Sequence, residues 1–206
     1  MNIVVVFPTE LEAKNFIIPK ESNHSIEVLI SGIGSYATIY SLTKYCLRSK
    51  PDLIIHAGIC GTFDSQLQIG EVVQVTSDCF ADVGVFENND FKSIFDMNFV
   101  DAQVYPYNKG KLELLQPIFN FLPQVSAVTI NTITSTEQQK QMLINKYNPS
   151  IESMEGAAVH YVALQEKISC VHVRAISNYV GERDKSKWNI KKAIENLNTT
   201  LYSILK

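Results

Sequence analysis

The sequence predicts an α/β protein, a three-layer sandwich in which helices cover both faces of one central sheet. Apolar runs rich in Val and Ile occupy residues 3–7, 26–30 and 53–57, and each enters a turn bearing Gly or Pro. Runs of that length and composition read as buried strands, and a helical pattern follows two of them. A chain of 206 residues, 46% hydrophobic and 19% charged, can bury one sizeable core and is short for two. No internal repeat, linker or low-complexity tract divides residues 1–206, so they read as one domain.

Each element has its own justification. After the first strand, Pro8-Thr9-Glu10-Leu11-Glu12 carries the S/T-x-x-E spacing of a helix start. The second strand ends in Ser31-Gly32-Ile33-Gly34-Ser35, and residues 36–49 then place Ala37, Tyr40, Leu42, Tyr45 and Leu47 on roughly one helical face. Pro51-Asp52 opens the third strand, and Gly58-Ile59-Cys60-Gly61 follows as a loop at its end, with no helix intervening. Gln68-Ile69-Gly70-Glu71 reads as a turn before a strand at residues 72–76. From residue 77 to 110 the periodicity weakens while Phe80, Phe86, Phe91, Phe95, Phe99, Tyr105 and Tyr107 accumulate. An excursion of that length is expected to be functional or an interface. Residues 111–121 predict a helix, 125–130 a strand, and 135–146 a polar helix capped by Ser135. The last helix has the strongest signal, because Ile190, Ile194, Leu197, Leu201 and Ile204 recur every three or four residues.

Composition excludes several function classes. A net charge of -3 and a pI near 5.8, with no basic stripe and no arginine-aromatic interleaving, argue against a nucleic-acid partner. No apolar run approaches the ~20 residues that span a bilayer, so no membrane partner is expected. The start of the chain lacks a basic segment, a long apolar segment and a cleavage site, which predicts a cytoplasmic protein. Cys46, Cys60, Cys79 and Cys170 are scattered without metal-ligand spacing, so neither a metal site nor a disulfide framework is expected.

The candidate chemistry lies where apolar strands give way to polar groups. Glu12 is either a cap partner for Thr9 or a catalytic carboxylate at the sheet edge. The glycines around Ile59, Cys60 and Gly61 either let a flat ligand approach the backbone or make a tight turn with Cys60 as filler. Glu155 enters the small-residue segment Gly156-Ala157-Ala158, either as a helix-start acid or as a partner for vicinal ribose hydroxyls with Met154 packed on the sugar. Arg174 needs a carboxylate if buried, and Glu12 or Glu155 could supply it, in a site or in a purely structural pair. Ser177-Asn178 could equally be a turn or a cap, and His56, His160 and His172 read as core or shell histidines.

Taken together, Met154-Glu155, Arg174-Ala175-Ile176-Ser177-Asn178, the two glycine segments and the early Glu12 resemble the nucleoside phosphorylase and nucleosidase superfamily. Residues 178–184, Asn-Tyr-Val-Gly-Glu-Arg-Asp, with Lys187-Trp188-Asn189-Ile190, resemble its futalosine hydrolase branch.

The resemblance implies a nucleoside phosphorylase-like sandwich around a mixed sheet, assembled as a homodimer or larger homo-oligomer. It implies hydrolysis of an N-glycosidic bond in a small purine nucleoside, without a cofactor. Glu12 would then activate water, Arg174 orient it, Glu155 bind the ribose under Met154, and Asn178 face the base. Ile59, Cys60, Gly61, Thr132 and Ile133 would line the substrate, and Trp188 would lie beside its 5′ substituent, with the aromatic excursion and a cation such as Arg183 or Lys187. Adenine-cleaving nucleosidases carry Asp at the position of Asn178. A carboxamide donates to a 6-oxo group and accepts from N7–H, so Asn178 favours hypoxanthine. Ser153 and Ile59 also depart from that relative, where a Glu and a Ser stand. The superfamily's phosphorylases hold phosphate with arginines, whereas the matching regions here offer Glu10, Glu12 and His56, which makes water the expected nucleophile.

Overall fold

In the computed structural model, which describes residues 1–206 apart from 88–89, 115–118 and 182–183, helices flank a central mixed sheet. β1 (Asn2–Phe7) pairs in parallel with β2 (Ser25–Ile30) on one side and β3 (Leu53–Thr62) on the other. β3 continues past β1, and its end at Gly61 and Thr62 pairs antiparallel with β9 (Ile151–Ser153). Its other edge runs parallel to β10 (Ser169–Tyr179), which pairs antiparallel with β4 (Val72–Asp78). β4 joins β8 (Gln124–Thr129) and β8 joins β9, both in parallel, so the strands close back on β3. The sheet is thus open at β2 and rolled shut at its other end.

Alternation along β1 explains why the run is apolar throughout. Ile3, Val5 and Phe7 face one side with Ile55, Val171 and Val173, and α5 (Ile190–Leu205) covers them with Ala193, Leu197 and Leu201. Val4 and Val6 face the other side with Ile54 and Cys170, under Leu42 of α2 (Ser35–Ser49) and Val159 and Val162 of α4 (Gly156–Gln165). Both faces of β1 are buried, so no position tolerates a polar residue.

Several expectations are corrected. β2 is the open edge, and Val28 and Ile30 are exposed. α2 buries Thr38, Leu42, Tyr45 and Cys46, while Tyr40 and Leu47 are exposed. Residues 58–61 are no loop but the second half of β3. The helix expected at 111–121 is not formed by its described residues: β7 (Leu112–Glu113) adds to β4, and Phe119 lies outside helix. α3 (Glu137–Tyr147) is capped by Thr136 rather than Ser135, in a capping box with Gln139. In the aromatic excursion β5 (Gly84–Glu87) and β6 (Asp90–Ser93) form a hairpin, and Tyr107 packs on Phe95 and on Tyr161 of α4. Among the described residues no helix is long and apolar enough to cross a membrane, and all four cysteines are buried and unpaired.

Candidate active site

The site grows from the register of β3 against β10, which sets His172 beside His56, Arg174 beside Gly58 and Asn178 beside Gly61. On the face toward α4, Ile54 and Cys170 at the strand starts give way to His56 and His172 and then to Gly58 and Arg174. Arg174 is fully buried, and its guanidinium fills the space that a side chain at residue 58 would need. A Cβ on Gly58 would overlap Arg174 Nη1 and lie 2.9 Å from Glu12 Oε1. Ser177 is the extra residue of a bulge between Ile176 and Asn178, and it shifts Asn178 from the regular register to a place beside Gly61.

Glu12 lies on the short helix α1 (Glu10–Ala13) and is buried. Thr9 caps this helix by accepting from the Glu12 amide at 3.3 Å, but Glu12 does not return the bond to the Thr9 backbone as a capping box would. Its Oε2 accepts from the Thr9 hydroxyl at 2.6 Å and its Oε1 from the Ile59 amide at 3.0 Å. The carboxylate is therefore aimed across the end of β3 and fixed there by two donors.

Glu155 precedes α4 and makes no side-chain cap bond with it. Instead Oε1 accepts from the Gly34 amide at 3.1 Å and Oε2 from Arg174 Nη2 at 3.4 Å. Gly34 adopts φ 87°, which a residue with a side chain rarely tolerates, and so turns its N–H onto the carboxylate. Burial pushes the Glu155 carboxyl up from its ordinary range, while the Arg174 charge and the Gly34 amide pull it down.

Three histidines complete the setting of Arg174. Its Nε donates to His172 Nε2 at 2.8 Å, and its Nη2 to His56 Nε2 at 2.9 Å. Because an arginine can only donate, His172 Nε2 must accept, which leaves its proton on Nδ1 facing His160 Nε2 at 3.0 Å. His160 then carries its proton on Nδ1, 3.0 Å from the Leu112 carbonyl. Burial drives all three rings toward the neutral form, and the Arg174 charge acts in the same direction. Asp78 joins His160 and His172 in a group whose ligand atoms lie within 4.8 Å of one another, yet each nitrogen of these two rings is engaged by a protein partner.

Glu12, Glu155, Met154, Ile59, Cys60, Gly61, Ile133, Asn178 and Trp188, all expected from sequence, line one cavity of about 250 Å³. Arg174 lies behind its wall and touches it through the backbone carbonyl of Ile59, at 3.4 Å, and through Glu155. Cys60 contributes to the wall, but burial pushes its thiol up to about 12, so it stays a thiol. Thr132 is exposed and off this wall; Ile133 takes its place. The aromatic excursion does not line the cavity either, because Phe80, Phe95 and Tyr107 pack toward Tyr161 and line a separate groove. Lys187 is exposed and paired with Asp184 at 3.6 Å, and Arg183 lies outside the described residues. Sequence reasoning missed the histidine setting of Arg174 and also Glu152, a buried acid of β9 on the same wall. A hint was available, since an acid inside an apolar strand demands a partner.

Residues 6–206 match the model of the phosphorylase superfamily, and the chain belongs to that family. It is 26% identical to the futalosine hydrolase of Thermus thermophilus over 178 residues, covering 82% of this chain and 76% of that one. Among solved structures, Helicobacter pylori futalosine hydrolase superposes with a TM-score of 0.80 at 16% identity, covering 98% of this chain and 96% of that one. The 5′-methylthioadenosine/S-adenosylhomocysteine nucleosidase of Neisseria meningitidis, in complex with methylthio-immucillin-A, does so at 0.81 and 17%, covering 100% and 98%. The fold alone therefore does not separate the two activities.

Proposed function

We propose that this protein is a nucleosidase that hydrolyses futalosine to hypoxanthine and dehypoxanthine futalosine, a step of menaquinone biosynthesis. The observation that carries the reading is the convergence of Glu12, Met154-Glu155 and Asn178 on one cavity wall. Glu12, held by Thr9 and Ile59, accepts a proton from water as the water oxygen bonds C1′. The C1′–N9 bond breaks and its electron pair passes into the purine, which takes up a proton delivered through water, since an amide cannot supply one. Glu155 binds the ribose hydroxyls and steadies positive charge at the sugar, with Met154 against the ring. Arg174, locked by two histidines and Glu155, acts from behind by holding Glu155 as the anion and the Ile59 carbonyl in place. Asn178 faces the 6-oxo edge, and Trp188 flanks the 5′ substituent.

On this reading residues 1–206 form one nucleosidase unit that works in the cytoplasm as a homodimer or larger homo-oligomer, with no metal or other cofactor. The test is to incubate purified protein with futalosine, inosine and methylthioadenosine, with and without phosphate, and to follow free base by chromatography. Hypoxanthine from futalosine, independent of phosphate, is the expected result. Adenine from methylthioadenosine would make the protein a methylthioadenosine nucleosidase instead; release that requires phosphate would make it a phosphorylase.

A further inference from the structure

Glu155 stands at the N-cap of α4, the position whose side chain ordinarily accepts from the first free amides of a helix. Its carboxylate goes to Gly34 and Arg174 instead. A helix that starts in the core must still satisfy those amides, because a buried N–H without an acceptor is costly. Two hydroxyls from neighbouring strands supply the acceptors. Ser153 Oγ of β9 accepts from the Gly156 amide at 3.3 Å, and Thr129 Oγ1 of β8 accepts from the Ala157 amide at 2.7 Å. Thr129 and Ser153 are register partners across β8 and β9, which brings both hydroxyls to the same helix turn.

The Thr129 hydroxyl is held in one direction. It is fully buried and has a single proton, which it donates to Asp78 Oδ1 at 3.0 Å. That oxygen is itself fixed by the Cys79 amide at 2.8 Å, and the Thr129 amide donates to the Cys79 carbonyl at 2.8 Å. With the proton committed to Asp78, a lone pair of Thr129 is left to face Ala157. Asp78 also closes the space beside the first helical residue. A Cβ on Gly156 would overlap Asp78 Oδ2 and lie 2.6 Å from His172 Cε1, so α4 starts on a glycine packed against the acid.

We infer that Thr129, oriented by Asp78, is a positioning residue for Glu155: by capping α4 from another strand, it releases the Glu155 carboxylate to face the cavity. For what Glu155 then binds, the ribose hydroxyls, this rests on the nucleosidase reading above. Thr129 and Glu155 compete for one amide, and a helix N-terminus favours a carboxylate. Removing the hydroxyl without opening room for water therefore turns Glu155 back onto its own helix, away from Gly34, Arg174 and the ribose.

Thr129→Val makes that change, because the two side chains have nearly the same shape. Crystal structures give the first readout: in the variant the Glu155 carboxylate is expected on the Ala157 amide and no longer on the Gly34 amide. Calorimetry gives the second, with 9-deazainosine, whose carbon–carbon glycosidic bond cannot be hydrolysed, and its free base 9-deazahypoxanthine. The variant should bind the nucleoside about tenfold or more weakly than the wild type does, and the free base within about twofold. Thr129→Ser, which keeps the hydroxyl, should return Glu155 to Gly34 and restore nucleoside affinity. Loss of both ligands in equal proportion marks a general structural fault and sinks the inference; so does a Glu155 carboxylate still bound to Gly34, whatever the ligands do. If Thr129→Val does not fold, Thr129→Cys, whose sulfur accepts only weakly, takes its place in both measurements. A wild type that binds neither ligand would end the nucleosidase reading, while the crystal structures would still decide whether Thr129 frees Glu155.

Discussion

Arg174 Nε donates to His172 Nε2 at 2.8 Å, and through that one bond an arginine that never loses its charge fixes the tautomers of two histidines behind it. The polarity of the chain from Arg174 through His172 and His160 to the Leu112 carbonyl is complete only while both imidazoles are neutral.

This makes the fold sensitive to acid. The folded-state pKa of His160 is lowered from 6.5 to about 4 by burial, partly offset by its bond to Leu112, with the Arg174 charge adding to the lowering. A base depressed in this way contributes stability that is present in full above 6.5 and is lost as pH falls through about 4. The wild type should therefore lose on the order of a few kcal/mol more than His160→Gln over that window, measured by urea denaturation at stepped pH. Asp78, pushed up to about 7 by burial, is present in both proteins, so the difference reports His160 together with its coupling to His172 and Asp78. Parallel pH profiles would remove His160 from this account.

Gly58→Ala should be damaging although it adds one methyl. The new Cβ would overlap Arg174 Nη1, and a fully buried arginine held by two histidines cannot move aside. Overpacking of this kind costs about 1–3 kcal/mol. Denaturation midpoint and hypoxanthine release should both fall; a neutral substitution would mean that the arginine is more loosely held than its bonds imply.

Glu12→Gln separates catalysis from capping. The Thr9 cap uses the backbone amide of residue 12, which the variant keeps, so melting temperature should change little. Loss of the proposed general base should lower kcat by about 10²- to 10⁴-fold. Retained turnover with a raised KM would move Glu12 from proton transfer to binding.

Asn178→Asp should shift the base preference away from 6-oxopurines. The bulge at Ser177 holds the side chain beside Gly61, and an aspartate keeps the Ser177 hydroxyl as donor while losing the bond from Nδ2 to the Tyr179 carbonyl at 3.1 Å, so stability should fall far less than futalosine turnover. A mismatched buried polar contact costs about 1–3 kcal/mol, or roughly tenfold to a few hundredfold in kcat/KM for futalosine. Unchanged kinetics for futalosine would take Asn178 out of the base site.

Most of the cavity was legible because its residues are chemically conspicuous. Glu12, Met154-Glu155, Asn178 and Trp188 are polar or bulky groups at the ends of apolar runs, and all of them line it. Arg174 was correctly expected to meet a carboxylate, and Glu155 is that partner. The histidines were read only as core or shell, because nothing local distinguishes a ring packed among valines from one that orients an arginine on its own or the neighbouring strand. Glu152 was passed over for a similar reason: its place on the cavity wall comes from pairing with Gly61, ninety-one residues earlier in the chain.

What the sequence determined by itself is the material of the fold. Short Val-rich runs make strands buried on both faces, the three-to-four repeat of Ile194, Leu197 and Leu201 makes α5 and points it at the sheet, and the residue types at strand ends mark the candidate site. What only the tertiary structure decided is alignment. Residues 58–61 look like a turn because glycines break local patterns, but β10 supplies the hydrogen-bonding edge that keeps them a strand. The bulge at Ser177, the guanidinium lying over Gly58 and the places of Glu152 and Asn178 on either side of Gly61 follow from register between distant segments. Periodicity and propensity are properties of neighbours in the chain, whereas register is decided by which distant strands bury each other, and the proposed chemistry depends on the second.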